Sequence, residues 1–234
     1  MEYVKDAAKL AEVTRILALH EASARSFYLS QLNLQVSEEN DPLLNLTNIF
    51  VVANRARRGT STGRSLTAFE SFSKGVGSII AKCKGKDPEK AHIEFLKWLC
   101  EVKETNQKTA NVFLKLVVMF SEDFELDLLD WPTWKSHLHV PLDVWVTRLM
   151  GKKYLDVGTE AYNRDFLGSA VPNLTNQPKK YFQLQSELAE VTSLVGQPRI
   201  ILDLLWWVGY VFCTYWPFLC DNCWINKQCQ NYPK

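Results

Sequence analysis

Four cysteines crowd into the last stretch of the chain, Cys213, Cys220, Cys223 and Cys229, spaced C-x6-C-x2-C-x5-C. Four soft thiolates supplied by one short segment can hold a tetrahedral zinc ion or a cubane iron–sulfur cluster. In either case the chain ends in a wrapped loop and not in a free helix or strand. Zinc knuckles usually pair two close C-x2-C units, and this sequence has only one. The irregular spacing suits a loop closed around a larger object. Cys83 and Cys100 lie far from the set and are expected to be packed thiols.

In a reducing compartment six cysteines are free thiols, and clustered ones are metal ligands more often than disulfides. The N-terminus, Met-Glu-Tyr-Val-Lys-Asp, lacks the apolar run of a signal peptide. The most apolar stretch, Ile200 to Cys220, is broken by Asp203 and Pro217, so it reads as buried core and not as a membrane span. These features predict a cytoplasmic protein. Lys plus Arg number 27 against 26 acidic residues, a net charge of +1. Any claim on nucleic acid must therefore rest on local patches.

Helical periodicity runs through the 234 residues. It predicts helices over Met1 to His20, Leu46 to Arg57, Ala91 to Lys103, Thr109 to Phe120, Leu142 to Met150, Lys180 to Leu194 and Ile200 to Phe212. No segment carries a convincing strand alternation, and the predicted fold class is all-α. The least structured segments are expected at Arg58 to Arg64, Glu122 to Leu138 and Asn163 to Pro178. Charge is uneven. Between Asn54 and Lys86, Arg55, Arg57, Arg58, Arg64, Lys74, Lys82, Lys84 and Lys86 face Glu70 alone. This is either a solvated basic face or a surface that tracks phosphates. In the second reading Arg57, Arg58 and Arg64, on a Gly/Ser/Thr-rich loop, contact phosphate oxygens. The histidines His20, His92, His137 and His139 show no ligand spacing, and His137 and His139 read as loop residues.

The 6-2-5 cysteine loop resembles, spacing for spacing, the four-iron, four-sulfur loop of the endonuclease III branch of the helix-hairpin-helix DNA glycosylases. Gly209, four residues before the first cysteine, is similar too. Two further motifs point to the same superfamily. Lys108-Thr109-Ala110-Asn111-Val112 resembles the start of the helix after the family's hairpin, where the lysine is the Schiff-base nucleophile. Val140-Pro141-Leu142-Asp143 resembles the family's Val-Pro-Val-Asp, whose aspartate is the essential carboxylate. Read without the resemblance, Lys108 is a first-turn lysine and Asp143 a helix cap. With it, Lys108 and Asp143 become the catalytic pair. Glycosidic cleavage needs a nucleophile at C1′ and negative charge near an oxocarbenium-like transition state. The positive end of a helix dipole and an apolar setting both disfavour an ammonium, as an amine nucleophile requires.

The hairpin itself departs from the family. Where Leu-Pro-Gly-Val-Gly is usual, this chain has Val102-Lys103-Glu104-Thr105-Asn106. Both glycines are gone, Glu104 would repel a phosphate, and Asn106 is the one residue that tolerates a left-handed turn. The missing glycines and the lengthened Lys108-to-Asp143 spacing are similar to the archaeal 8-oxoguanine glycosylase branch, which generally lacks the cluster loop. That likeness suggests Phe69 and Trp206 as stacking rings for a flipped base and Asp203 as the group that reads its edge. For each aromatic, plain core packing is an equal reading.

The resemblance implies a two-domain helix-hairpin-helix fold. A central domain over residues 46–135 would carry Lys108. A second domain would combine residues 1–45 and 136–234, with the active site in the cleft between them. The implied cofactor is a 4Fe-4S cluster on Cys213, Cys220, Cys223 and Cys229. The implied partner is double-stranded DNA with a damaged base, bound by a monomer associated with the nucleoid and away from membranes. The implied activity is a bifunctional glycosylase and abasic-site lyase, with 8-oxoguanine as first substrate. A glycosylase for oxidised pyrimidines or mismatched bases, or a non-catalytic iron–sulfur DNA-binding protein, stands as the alternative.

Overall fold

The computed structural model of the chain describes residues 1–32, 41–58, 62–103, 105–121, 129–159, 172–214, 217 and 219–233, with the backbone alone at 27–32, 54–58, 62–66 and 132. The protein is all-α. Its α-helices among the described residues are α1 (Ala7–Leu19), α2 (Glu21–Leu32), α3 (Pro42–Arg58), α4 (Thr62–Cys83), α5 (Pro88–Glu101), α6 (Gln107–Ser121), α7 (Val144–Met150), α8 (Pro178–Ser193) and α9 (Leu204–Val208). An antiparallel bridge between Val4 and Gly158 is the one β contact among them. No described helix is long and apolar enough to cross a membrane.

The chain divides into two compact units. One joins Met1–Phe27 to His139–Lys234, and the other is Tyr28–Leu138. The sequence placed these divisions at residues 45/46 and 135/136. In the structure the first falls inside α2 and the second directly before His139.

The second unit is built on aromatic packing. Phe50 of α3 stacks on Phe72 of α4 with centroids 4.1 Å apart, and Phe113 of α6 meets both edge-on at 5.6 and 5.4 Å. Helix α6 is its central member, packed by α3, α5 and a 3-10 helix over Trp131–His137. That 3-10 helix falls where the sequence predicted little structure. Trp131 and Trp134 are both buried and pin it to Phe95.

Helix α4 was not predicted at all. Its glycines and serines argue against a helix, each glycine costing about 1 kcal/mol relative to alanine. Burial decides otherwise. Ala68, Phe72, Val76, Ile79, Ile80 and Cys83 form one buried stripe, and each large member contributes about 1.5–3 kcal/mol. Gly75 has a further reason to stand there, since a Cβ at that position would lie 2.8 Å from Cζ2 of Trp98. Of the expected Arg58 to Arg64 loop, Arg58 ends α3 and residues 62–64 begin α4, while residues 59–61 lie outside the described residues. The basic stretch is also partly neutralised, because Lys82 and Lys86 both pair with Glu94 of α5.

In the first unit, α1 and α8 pack through Leu10, Val13, Leu17, Leu184, Leu188 and Val191, with Val146, Leu205 and Val208 in the same core. Asp6 caps α1 by accepting from the Lys9 amide at 2.9 Å. The amides of the N-terminal residues are satisfied by a side chain of α8. Glu187 accepts from the amides of Glu2, Tyr3 and Val4 at 2.7, 2.8 and 3.1 Å. The apolar run predicted as one helix, Ile200 to Phe212, is three successive windings: 3-10 over Arg199–Asp203, then α9, then a π-helix over Gly209–Cys213.

Candidate functional site

Lys108 sits in the first turn of α6. The turn is capped by Asn106, whose Oδ1 accepts from the Thr109 amide at 2.9 Å while its carbonyl accepts from the Ala110 amide. Asn106 therefore does not replace a hairpin glycine in a left-handed conformation; among the described residues, Asp156 is the one non-glycine with positive φ. Side-chain capping selects the asparagine here. Lys108 is half-buried, and residues 109–118 behind it are all buried. The lysine thus stands in the first turn, at the positive end of the dipole of a helix that is otherwise almost wholly buried.

Phe69 belongs to the same unit and is 39% exposed on α4. Arg57 and Arg58 lie at the end of α3 and Arg64 near the start of α4, but their side chains lie outside the described residues. Glu104 and most of the expected Asn163 to Pro178 segment also lie outside them.

Asp143, in the first unit, is 1% exposed and caps α7. Its Oδ1 accepts from the amides of Trp145 at 2.8 Å and Val146 at 2.9 Å, so the cap is made by one oxygen of the carboxylate. The preceding segment is held by groups the sequence reading missed. His139 is the loop residue expected, but a buried one, with its Nδ1 2.8 Å from the Tyr181 hydroxyl, whereas His137 ends the 3-10 helix Trp131–His137. Gln185 makes two hydrogen bonds to Val140, accepting from its amide at 2.9 Å and donating to its carbonyl at 3.0 Å. The available signal was a glutamine set among Tyr181, Leu184 and Leu188 on the apolar stripe of α8.

Asp203 and Trp206 also lie in this unit. Asp203 is 1% exposed at the junction of the 3-10 helix and α9. Trp206 is half-buried and stacks on the exposed Tyr210, with centroids 5.4 Å apart and planes 7° from parallel. Tyr210 was not anticipated.

The π-helix delivers Cys213, and two 3-10 turns, Cys220–Asn222 and Asn226–Gln228, carry the loop past Cys223 to Cys229. All four cysteines are partly buried. Burial pushes the Cys213 thiol up to about 12, and Cys223, Cys229 and Cys220 each add to the rise. Burial likewise raises Cys223 to about 11, with Cys229 and Cys220 adding to it. The four thiols therefore lie within electrostatic reach of one another. Backbone amides oppose the rise: Ile225 donates to Cys223, and Asn231 and Tyr232 to Cys229. Among the described residues, no three His, Cys, Asp or Glu side chains are gathered tightly enough to hold a metal ion as they stand. Four partly buried thiols with backbone N–H donors beside them are nevertheless a donor set that a soft metal or cluster could use, the metal replacing the protons that burial otherwise holds on sulfur.

The loop is tied down around these thiols. Ile225 is buried, and Trp224 stacks face to face on His20 at 4.3 Å. Past the last cysteine, the Gln230 amide donates to the Tyr154 carbonyl at 2.7 Å, and the Tyr232 hydroxyl donates to Asp221 at 2.5 Å. Cys83, by contrast, is a packed thiol bonded to the Ala91 carbonyl. No protein-family model matches the chain, and neither do the curated proteins or solved structures with which it was compared.

Proposed function

We propose that the protein is a bifunctional DNA glycosylase and abasic-site lyase of the helix-hairpin-helix kind, with 8-oxoguanine as its first substrate and a 4Fe-4S cluster on Cys213, Cys220, Cys223 and Cys229. The observation that carries the reading is Lys108, a half-buried amine in the first turn of a helix that is otherwise almost wholly buried. In the reaction its lone pair forms a bond to C1′ as the bond from C1′ to the base breaks. The base leaves with the electron pair and is protonated. Loss of a proton from nitrogen and opening of the sugar ring give an imine. Removal of a C2′ proton then expels the 3′ phosphate. Asp143 supplies the fixed negative charge that the cationic sugar needs. Cys213, Cys220, Cys223 and Cys229 would hold the cluster, which would cross-link the C-terminal loop and supply nothing to the bond changes. Arg57, Arg58 and Arg64 serve the DNA backbone in this reading, and Phe69 and Trp206 the flipped base. The protein acts as a cytoplasmic monomer on damaged duplex DNA.

Borohydride trapping on a duplex with one 8-oxoguanine tests the proposal. The wild type should leave a covalent protein–DNA adduct, and Lys108→Gln should leave none while still binding the duplex. A trapped adduct with the variant, or no adduct on any lesion duplex with the wild type, overturns the lysine chemistry. Faster release of oxidised pyrimidines would move the substrate and keep the mechanism.

A further inference from the structure

Beyond the assigned pair, we propose that Gln185 is a positioning residue, setting the place of Asp143 through the chain segment that precedes it. The consequence for rate rests on the glycosylase reading, whereas the geometry does not.

Residues 139–143 run into α7 without a strand beside them, so their backbone groups must be satisfied some other way. Helix α8 supplies side chains in place of a strand. The Gln185 carboxamide accepts from the Val140 amide at 2.9 Å and donates to the Val140 carbonyl at 3.0 Å, the two-bond exchange of paired strands. One turn earlier on the same face, the Tyr181 hydroxyl lies 2.8 Å from His139 Nδ1. Two consecutive residues are thus held by one helix. The helix is itself braced at this point, because Arg199 Nη1 donates to the Gln185 carbonyl at 3.1 Å.

Only Pro141 and Leu142 separate the clamp from Asp143. The ring of Pro141 fixes its φ, so the connection has few free torsions. At the far end, the Asp143 carboxylate is fixed by the Trp145 and Val146 amides. Gln185 is 1% exposed, so water cannot take over its two bonds. The need is for a glutamine. Leucine would leave a buried amide and carbonyl without partners, and glutamate would turn a second acceptor toward the carbonyl.

The test combines amide hydrogen exchange with single-turnover base release in the full chain. In Gln185→Leu, the Val140, Trp145 and Val146 amides should exchange roughly tenfold faster, while Val13 in α1 and Leu188 in α8 keep their protection. Base release at saturating 8-oxoguanine duplex should fall about a hundredfold, with affinity for an abasic-analogue duplex unchanged. Gln185→Asn withdraws the carboxamide by one methylene and is read the same way if the leucine variant does not fold. Unchanged exchange at Trp145 and Val146, or exchange that rises equally across α1 and α8, overturns the proposal. A wild type inactive on every lesion overturns the glycosylase reading instead, and the exchange result still decides the role of Gln185.

Discussion

The backbone of Gly209 lies against the face of Trp145, so closely that a Cβ at position 209 would sit 2.6 Å from the indole Cγ and Cδ2. Trp145 is in the first turn of α7, two residues after Asp143, and Gly209 opens the π-helix that ends in Cys213. One contact therefore joins the helix capped by the proposed catalytic carboxylate to the helix that enters the cysteine loop. Gly209→Ala must push the two apart, at a cost of about 1–3 kcal/mol typical of overpacking. Denaturant unfolding should register that loss, and base release should fall with it. Wild-type stability would mean that the indole can move aside and that the contact does not couple the helices.

The cysteine loop makes a prediction about composition. Protein purified without oxygen should be brown and contain iron with acid-labile sulfide, because thiolate-to-iron charge transfer accompanies such clusters. Zinc at one per chain without iron would overturn the cluster assignment. Stripping the metal should open the Cys213 to Cys229 segment to proteolysis and unstack Trp224 from His20, while the core of α1 and α8 holds.

Asp143 has two roles that a single substitution can separate. Asparagine retains an oxygen able to accept from the Trp145 and Val146 amides, so Asp143→Asn should cost at most about 1 kcal/mol in stability. It lacks the negative charge, and base release should fall by roughly a hundredfold or more while DNA binding persists. A variant that cleaves like the wild type would reduce Asp143 to a helix cap.

The residues show why some of this was legible in the sequence. Buried helices with continuous apolar stripes, such as α6 and α8, were visible because periodicity and burial agree. Asp143 was legible as a cap because an aspartate before an apolar turn has few other uses. Helix α4 was invisible because its local preferences oppose the helix and only the partners of its stripe, Phe50, Trp98 and Phe113, reverse them. The Gln185 and Glu187 clamps were missed for a related reason. Their partners lie far away in sequence, at Val140 and at Glu2 to Val4, and a polar residue on an apolar stripe does not say whom it meets. The 3-10 and π windings around α9 were read as one regular helix because apolarity is insensitive to helical pitch.

In the proposed glycosylase reading, recognition of the base falls to Asp203 and its aromatic neighbours. Asp203 is 1% exposed, and the proposed reading gives this carboxylate the edge of the lesion to bind. Oxidation of guanine at C8 adds an N7–H donor, which a carboxylate can accept, whereas normal guanine offers an acceptor there. Three residues on, Trp206 lies parallel to Tyr210, and Tyr210 is 51% exposed, so the pair already has the planar arrangement onto which a base can stack. Asp203→Ala should therefore lower 8-oxoguanine excision by roughly 10- to 150-fold, the worth of one hydrogen bond to a charged group. Cleavage of a preformed abasic site needs no base contact and should proceed at the wild-type rate in the same preparation, which also controls for folding. Tyr210→Ala should weaken release of every lesion alike, because stacking does not read the base edge. If Asp203→Ala loses both activities in parallel, the carboxylate is structural, and the preference for an oxidised purine loses its main support while the lysine chemistry is untouched.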